Sequence, residues 1–265
     1  GAPISRMGVA CCRPANNKKG WHTIVGFGSL LSQASAQSSF PSMRNFRLGR
    51  LRGWRRVFAH PAAIFFERKI AKMDTKEIAS LSIEPSEGGC FTVALFEIPS
   101  AEIPEFYERE EEFDIVTVKV VSCRGLSCDV SSSWGFWGAA ILFCFGGSRG
   151  NRLLCCAARA QVEDDSACNN GDAKGPVVHV EGLACARGTD ELFLERWGQE
   201  RFNTKYKANG IDSIWNFKGT ILPCRVYLRH CVLAVRKQGK DVLDDFLDNT
   251  FLYDRETTVG YVTFS

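Results

Sequence analysis

At 265 residues, 45% hydrophobic and 24% charged, the chain can bury a sizeable core and is not compositionally disordered. Its longest apolar run, Trp134 to Gly147, falls short of the roughly 18–20 residues a membrane span needs and is broken by glycine. The net charge of +3 hides an asymmetry: residues 1–66 hold ten Lys or Arg and no acid, while the other 199 hold all 30 acids against 23 bases, a formal −7.

Residues 1–20 read as a flexible arm, with Pro3, Pro14 and a polar Asn16-Asn17-Lys18-Lys19 run. No secretory signal stands at the start, and a beginning at Gly1 fits processing. Trp21 to Val25 reads as the first strand and Gly26 to Leu31 as a glycine loop. Ser32 to Ser39 reads as a loop or short helix. Phe46 to His60 reads as a long basic strand or hairpin whose apolar phase shifts across Gly49, as a glycine bulge would shift it. Ala62 to Phe66, Ile78 to Ile83 and Cys90 to Ile98 read as strands, with Pro85 to Gly89 turning the chain between the last two. Ser100 is placed as the N-cap of a short helix with Ile103, Phe106 and Tyr107 on one face. Asp114 to Val121 alternates as a strand. Residues 123–175, rich in cysteine, serine and glycine, read as an insertion, and Pro176 to Ala186 resumes a strand. Thr189 then caps a helical tail, with Leu222, Val226, Cys231 and Val235 on one apolar face and a further helix at Asp241 to Leu247. The fold class is α+β with a mainly antiparallel or mixed sheet, because no βαβ unit repeats.

The twelve cysteines and four histidines lack metal-site spacing. Cys123-x4-Cys128 has no second pair, Cys11-Cys12 and Cys155-Cys156 are adjacent, and the histidines are scattered. No metal is therefore expected. Cys90, Cys144, Cys185, Cys224 and Cys231 sit in apolar runs and read as buried, reduced thiols.

The glycine loop is not a dinucleotide fingerprint, since Gly26-x-Gly28-x-x leads to Leu31 and no acid precedes Glu67. Nor is it a Walker loop, which would continue Gly-Lys-Ser/Thr. It can still aim backbone N–H groups at a ligand. The acidic stretch Glu102, Glu105, Glu108, Glu110, Glu111, Glu112 and Asp114 is ordinarily a solvated helix face. Any member that is buried, however, has its pKa raised toward a general base's working range. The basic run Arg44 to Arg56, interleaved with Phe46 and Trp54, has the composition of a single-stranded nucleic-acid groove. It reads more simply as a solvent face. Across the whole basic end, the simpler account is arginines that cover a sheet and pair with the acidic half, rather than a dedicated anion site.

Three motifs in order resemble the γ-glutamylcyclotransferase superfamily: Phe27-Gly28-Ser29-Leu30, then Leu51-Arg52-Gly53-Trp54-Arg55-Arg56-Val57-Phe58, then Phe106-Tyr107-Glu108-Arg109-Glu110-Glu111. The match covers about residues 21–121, and Phe27 stands where the family loop carries tyrosine. The helical tail around Leu222 to Cys231 is similar to extensions of plant and algal members. The resemblance implies a small mixed β-barrel with flanking helices over 21–188, interrupted at about 123–175, with a helical extension over 189–265. It implies cleavage of a γ-glutamyl amide, glutathione or a γ-glutamyl amine, to 5-oxoproline and free amine, with no metal, nucleotide or other cofactor. Glu110 would be the acid/base, with Glu111 as fallback, and Phe27, Gly28, Ser29 and Leu30 would hold the substrate. A second expectation is a catalytically idle subunit of a larger, plastid or photosynthetic-membrane assembly; a third and weaker one is an RNA-binding module. The compartment would be cytoplasm or plastid stroma, or the periphery of a membrane complex. A small-molecule partner is expected ahead of nucleic acid.

Overall fold

The computed structural model describes residues 20–122 and 178–264; the expected arm before Gly20 and the insertion at 123–175 lie outside the described residues. Five strands close a mixed barrel: β1 (Trp21–Gly26), β5 (Val178–Ala186), β4 (Asp114–Ser122), β2 (Arg44–Pro61) and β3 (Glu77–Pro99). Each pairs with the next in that order, and β3 pairs with both β2 and β1, so the ring has no open edge among these strands. The β1–β5 neighbours run parallel and the other adjacent pairs run antiparallel, which makes the barrel mixed as the sequence implies. Two short strands, β6 (Leu222–Pro223) and β7 (Thr250–Phe251), join β3 and β2 from the C-terminal part.

β2 and β3 are the long walls. The bulge in β2 falls at Gly53 and not at Gly49: pairing skips from Arg52 to Trp54, and Gly53 has φ +78°. Gly49 pairs regularly with Val93 and Ser122, and a Cβ there would lie 2.7 Å from Val120 Cγ1, so its role is close approach. The segment Pro85 to Gly89 does not reverse the chain. It bulges within one continuous strand whose halves both pair with β2, Pro85 with Trp54 and Cys90 with Arg52. Residues 77–84 of β3 are buried on both faces, between the barrel interior and the C-terminal part. That is why Ile78, Leu81 and Ile83 alternate so poorly in sequence.

The helices are α1 (Gln33–Ser39), α2 (Ala63–Glu67), α3 (Ile103–Arg109), α4 (Asp190–Lys205), α5 (Arg225–Arg236), α6 (Lys240–Asp248) and α7 (Val259–Phe264). Ala63 to Glu67 is thus a helical turn and not the strand expected at 62–66; Phe65 is buried from it. Ser100 does not cap α3. A 3-10 turn over Ser100–Glu102 precedes the helix, Glu102 is the cap residue, and the Ser100 hydroxyl has no partner. Thr189 does cap α4, its Oγ1 accepting from the Leu192 N–H at 3.1 Å. On α5 the buried stripe is Cys231, Ala234 and Val235; Val226 is 55% exposed, and Leu222 lies ahead of the helix in β6.

The basic strand is mostly paired, as the simplest reading of the charge asymmetry expects, but it is no plain solvent face. Arg44 pairs with Glu97, Arg55 with Glu84, and Arg50 and Arg56 both with Asp245 of α6. Arg56 is fully buried between the rings of Phe91 and Phe246, each 4.7 Å from its guanidinium carbon. One apolar cluster runs from the barrel (Val25, Phe58, Phe91) into the C-terminal part (Phe193, Tyr206, Phe246).

Candidate functional site

The barrel topology brings three segments to one end. β5 lies between β1 and β4, with Leu183 opposite Ile24 and Cys185 opposite Ile115. The loop that leaves β1 and the acidic turn that enters β4 therefore flank the C-terminal end of β5, where Cys185 sits.

The loop first. A 3-10 turn over Ser29–Leu31 follows Gly28, and Ser32 then caps α1, its Oγ accepting from the Ser35 N–H at 3.4 Å. Helix α5 lies against this turn. A Cβ on Gly28 would stand 3.1 Å from the Tyr227 hydroxyl, 3.2 Å from Leu81 Cδ2 and 3.5 Å from Cys231 Sγ, so a larger residue would make these neighbours give way by a few tenths of an ångström. The Ser29 N–H and the Tyr227 hydroxyl both hydrogen-bond the Cys231 sulfur. Burial pushes the Cys231 thiol up to about 12, against the lowering effect of those two donors. Phe27 is buried and Leu30 packs among the apolar residues of the Phe40–Phe96 cluster.

The acidic turn is held from the C-terminal part. α3 ends at Arg109, and the Trp197 and Trp215 indole N–H groups donate to the carbonyls of Glu111 and Glu112, each at 3.0 Å. Arg196 Nη1 donates to the Phe113 carbonyl at 2.9 Å. These anchors turn three consecutive glutamates into different surroundings. Glu111 is 5% exposed and clamped by Arg201 Nε and Lys205 Nζ, both at 2.6 Å. Glu112 is buried beside His60, whose Nε2 lies 3.9 Å from its Oε1. Desolvation, then the neighbouring Glu110 carboxylate, lifts Glu112 to about 8. His60, stacked on Trp215 at 4.3 Å, is pushed down to about 3 by burial, then by Arg187. Glu110 accepts from Arg109 Nη2 at 3.0 Å and is hydrogen-bonded by the Cys185 thiol.

Glu110 and the loop meet through α5 and β5. The half-buried Tyr227 lies against Gly28, its phenol within electrostatic reach of Glu110 and Cys185; desolvation and Cys231 hold its pKa well above the usual tyrosine range. Of the residues the sequence singles out, Gly28 and Ser29 lie against Tyr227 and Cys231, Glu110 acts electrostatically on Tyr227 from the acidic turn, Glu111 is committed to its cations, and Phe27 is core. Tyr227, Cys185, Cys231 and Glu112 were missed as site residues. The sequence carried Cys231 only as one apolar position, and Tyr227, four residues earlier, gives no separate signal.

Beside the site, a cavity of about 240 Å³ opens between the end of α1 and α3, lined by Phe40, Ser42, Glu102, Glu105, Phe106 and Arg109. Arg109 joins the two, its guanidinium 4.2 Å over the Phe40 ring and bonded to Glu110. Among the described residues no group of three or more His, Cys, Asp or Glu is placed to hold a metal ion.

No family model matches the chain, and no curated protein matches it. Similar solved structures include a gamma-glutamyl cyclotransferase, 10% identical, over 76% of this chain and 93% of that one, with a TM-score of 0.35. An uncharacterized human protein is 17% identical over 39% of this chain and 59% of its own, TM-score 0.32. An Arabidopsis thaliana protein is 18% identical over 40% and 62%, TM-score 0.30. The chain thus spans less than two thirds of the human and Arabidopsis proteins it matches.

Proposed function

We propose that the chain is a γ-glutamylcyclotransferase-like enzyme that cleaves a γ-glutamyl amide to 5-oxoproline and a free amine, with Glu110 as general base and then general acid. The observation that supports this is the placement of the Gly28–Ser29 turn and of the acidic turn carrying Glu110 at the same end of the barrel, on either side of β5, with Tyr227 against the first and within electrostatic reach of the second. Glu110 takes a proton from the substrate's α-ammonium group. The freed amine attacks the γ-carbonyl carbon in the same molecule, so the nucleophile arrives by intramolecular proximity. Backbone N–H groups of the loop stabilise the oxyanion. That attack closes the five-membered ring; as the carbonyl reforms, the C–N bond to the leaving amine breaks and Glu110 gives its proton to the departing nitrogen, then takes the second proton from the ring nitrogen, leaving the neutral lactam, and passes it on to the released amine. With Glu112 lifted to about 8, the neighbouring carboxyl is protonated at neutral pH and adds no second negative charge beside the base.

The test is 5-oxoproline release from glutathione and from γ-glutamyl amines. Glu110→Gln should lower kcat by about 10²-fold or more, the scale of acid/base catalysis; release that survives the substitution removes Glu110 from the role. Glu111→Gln should act through stability instead, since that carboxylate is clamped. A second reading, a catalytically idle member whose loop has become a joint for the C-terminal part, is favoured by one contact: the Ser29 amide is engaged by Cys231. No release from any γ-glutamyl amide would select it.

A further inference from the structure

Helix α5 and the lysine that ends it carry Arg225, Arg229, Arg236 and Lys237 and no acid, although the chain after residue 66 is a formal −7. The helix buries Cys231, Ala234 and Val235 against the rest of the fold and turns the opposite arc outward. At about 100° per residue, Val226 and Leu233 fall within about 20° of each other in the middle of that outward arc. The three arginines line one side of this stripe, and His230 and Lys237 line the other; all are exposed. Arg225 reaches Glu77 at 2.7 Å, while among the described residues Arg229, Arg236 and Lys237 have no acidic partner. Exposed aliphatic surface is also concentrated here. The large apolar side chains left exposed among the described residues are Ile64, Leu222, Val226, Leu233 and Tyr261. Two are on α5, Leu222 precedes it in β6, and Ile64 is on α2, whose Phe65 ring packs against Tyr227 of α5 at 5.3 Å. Single exposed aliphatics are ordinary, but a concentration of them ringed by charge marks a contact surface.

We propose that the outward face of α5 docks the chain on an anionic lipid bilayer, with the helix lying flat and Val226 and Leu233 entering the boundary between headgroups and acyl chains. Cations on both flanks of an apolar stripe match the two layers of such a surface, charged headgroups above and hydrocarbon beneath. The arginine stems lie along the apolar layer while their guanidinium groups stay with the headgroups. A nucleic-acid strand asks for charge or aromatic rings at the centre of the face, and Val226 and Leu233 supply neither. A stable protein partner asks for a larger dry centre than two aliphatic side chains provide. At 12 residues α5 lies on the bilayer and does not span it, which takes about 20. The inward face, with Tyr227 and Cys231, stays on the barrel, so docking is a property separate from the Glu110 chemistry.

The experiment is co-sedimentation of the full chain with two kinds of vesicle: phosphatidylcholine alone, and phosphatidylcholine with about one third phosphatidylserine. Wild type should pellet with the second and not with the first, and less so as salt rises from about 0.1 M to about 0.5 M. The double variant Arg229→Gln, Arg236→Gln should bind about 25-fold more weakly, near fivefold for each basic residue at an anionic surface. The double variant Val226→Ser, Leu233→Ser should bind about tenfold more weakly with the salt dependence kept. All four positions are exposed, so each variant should melt like wild type. Lys18→Gln with Lys19→Gln, which removes charge from the basic first stretch of the sequence, should bind like wild type. Failure to pellet with the anionic vesicles, or equal pelleting with both compositions, overturns the proposal. So does a loss confined to the Lys18 and Lys19 variant, which puts the contact elsewhere. Unaltered binding by the Val226 and Leu233 variant overturns it too, and tighter binding of polyuridylate than of vesicles assigns the face to nucleic acid.

Discussion

Two of the contacts that fasten the C-terminal helices to the barrel are built from opposite chemistry. At α6, the Asp245 carboxylate accepts from Arg50 at 2.6 Å, from Arg56 at 3.1 Å and from the Thr92 backbone N–H at 2.8 Å, and the Asp245 carbonyl takes a further bond from Arg56. At α5, the Ser29 amide and the Tyr227 hydroxyl meet only a neutral sulfur. The first joint uses full charges in a desolvated place; losing one partner strands another. The second uses weak, neutral bonds, so losing one strands no charge. A fold needs the first kind of contact to hold its parts in register, so the difference between them separates fixed frame from dispensable contact.

The most damaging way to test that contrast is Asp245→Ala. It leaves Arg56 buried with no counter-charge, a change of the class that costs about 3–5 kcal/mol. The expected outcome is a large drop in the urea midpoint, or failure to fold. A loss under about 1 kcal/mol would show that the two phenyl rings alone sustain the guanidinium.

Next in size is Gly28→Ala, which forces a Cβ to within 3.1 Å of the Tyr227 hydroxyl and 3.2 Å of Leu81 Cδ2. Overpacking of this kind costs about 1–3 kcal/mol. Removing the hydroxyl in the double variant with Tyr227→Phe should recover part of the loss in a thermal melt, because the two groups share the space. Strictly additive losses would place the clash with Leu81 instead.

How much of this was legible beforehand follows from which signals are local. The barrel strands announce themselves where one face is buried, as in Val118 and Val120 of β4, and the capping threonine at Thr189 is a one-residue signal, whereas Ser100, read the same way, does not cap. Buried segments hide their period: residues 77–84 lose alternation because both faces are covered. Ala63 to Glu67 looked like strand because Ile and Phe also suit a short helical turn packed by tertiary contact. Within the site, Gly28, Ser29 and Glu110 lie in recognisable motifs. Glu111 and Glu112 could not be told apart from Glu110, because what distinguishes them is Arg201, Lys205 and His60, which arrive from about 90 residues later and about 50 earlier. Tyr227 and Cys231 became site residues only through the packing of α5 on the loop.

The Glu112–His60 pair gives a pH-dependent comparison between the acidic turn and the rest of the barrel. Glu112 is lifted from 4.5 to about 8, so the folded chain holds a proton there that the unfolded chain releases above about 4.5. Its contribution to stability is then present at low pH and is lost as pH rises through that window. His60, lowered from 6.5 to about 3, has the opposite sign: the unfolded chain takes a proton that the folded one refuses, so stability rises between about 3 and 6.5. Glu112→Gln isolates the first effect. Its melting temperature relative to wild type should climb as pH goes from 5 to 8, and a difference that stays flat would mean Glu112 titrates normally.

The smallest effect should come from Tyr227→Phe measured as stability, and the contrast between the joints is tested most finely there. The lost bond ends on a thiol, a weak acceptor, and the ring keeps its contacts with Phe58 and Phe65. A neutral hydrogen bond contributes about 0.5–1.5 kcal/mol, and one to sulfur belongs at or below the lower end. The urea midpoint should therefore move little, while Asp245→Ala shifts it severely. If Tyr227→Phe instead costs as much as a core truncation, about 3 kcal/mol or more, α5 is fixed frame like α6, the Cys231 contact is not dispensable, and the loop is a joint in the fold.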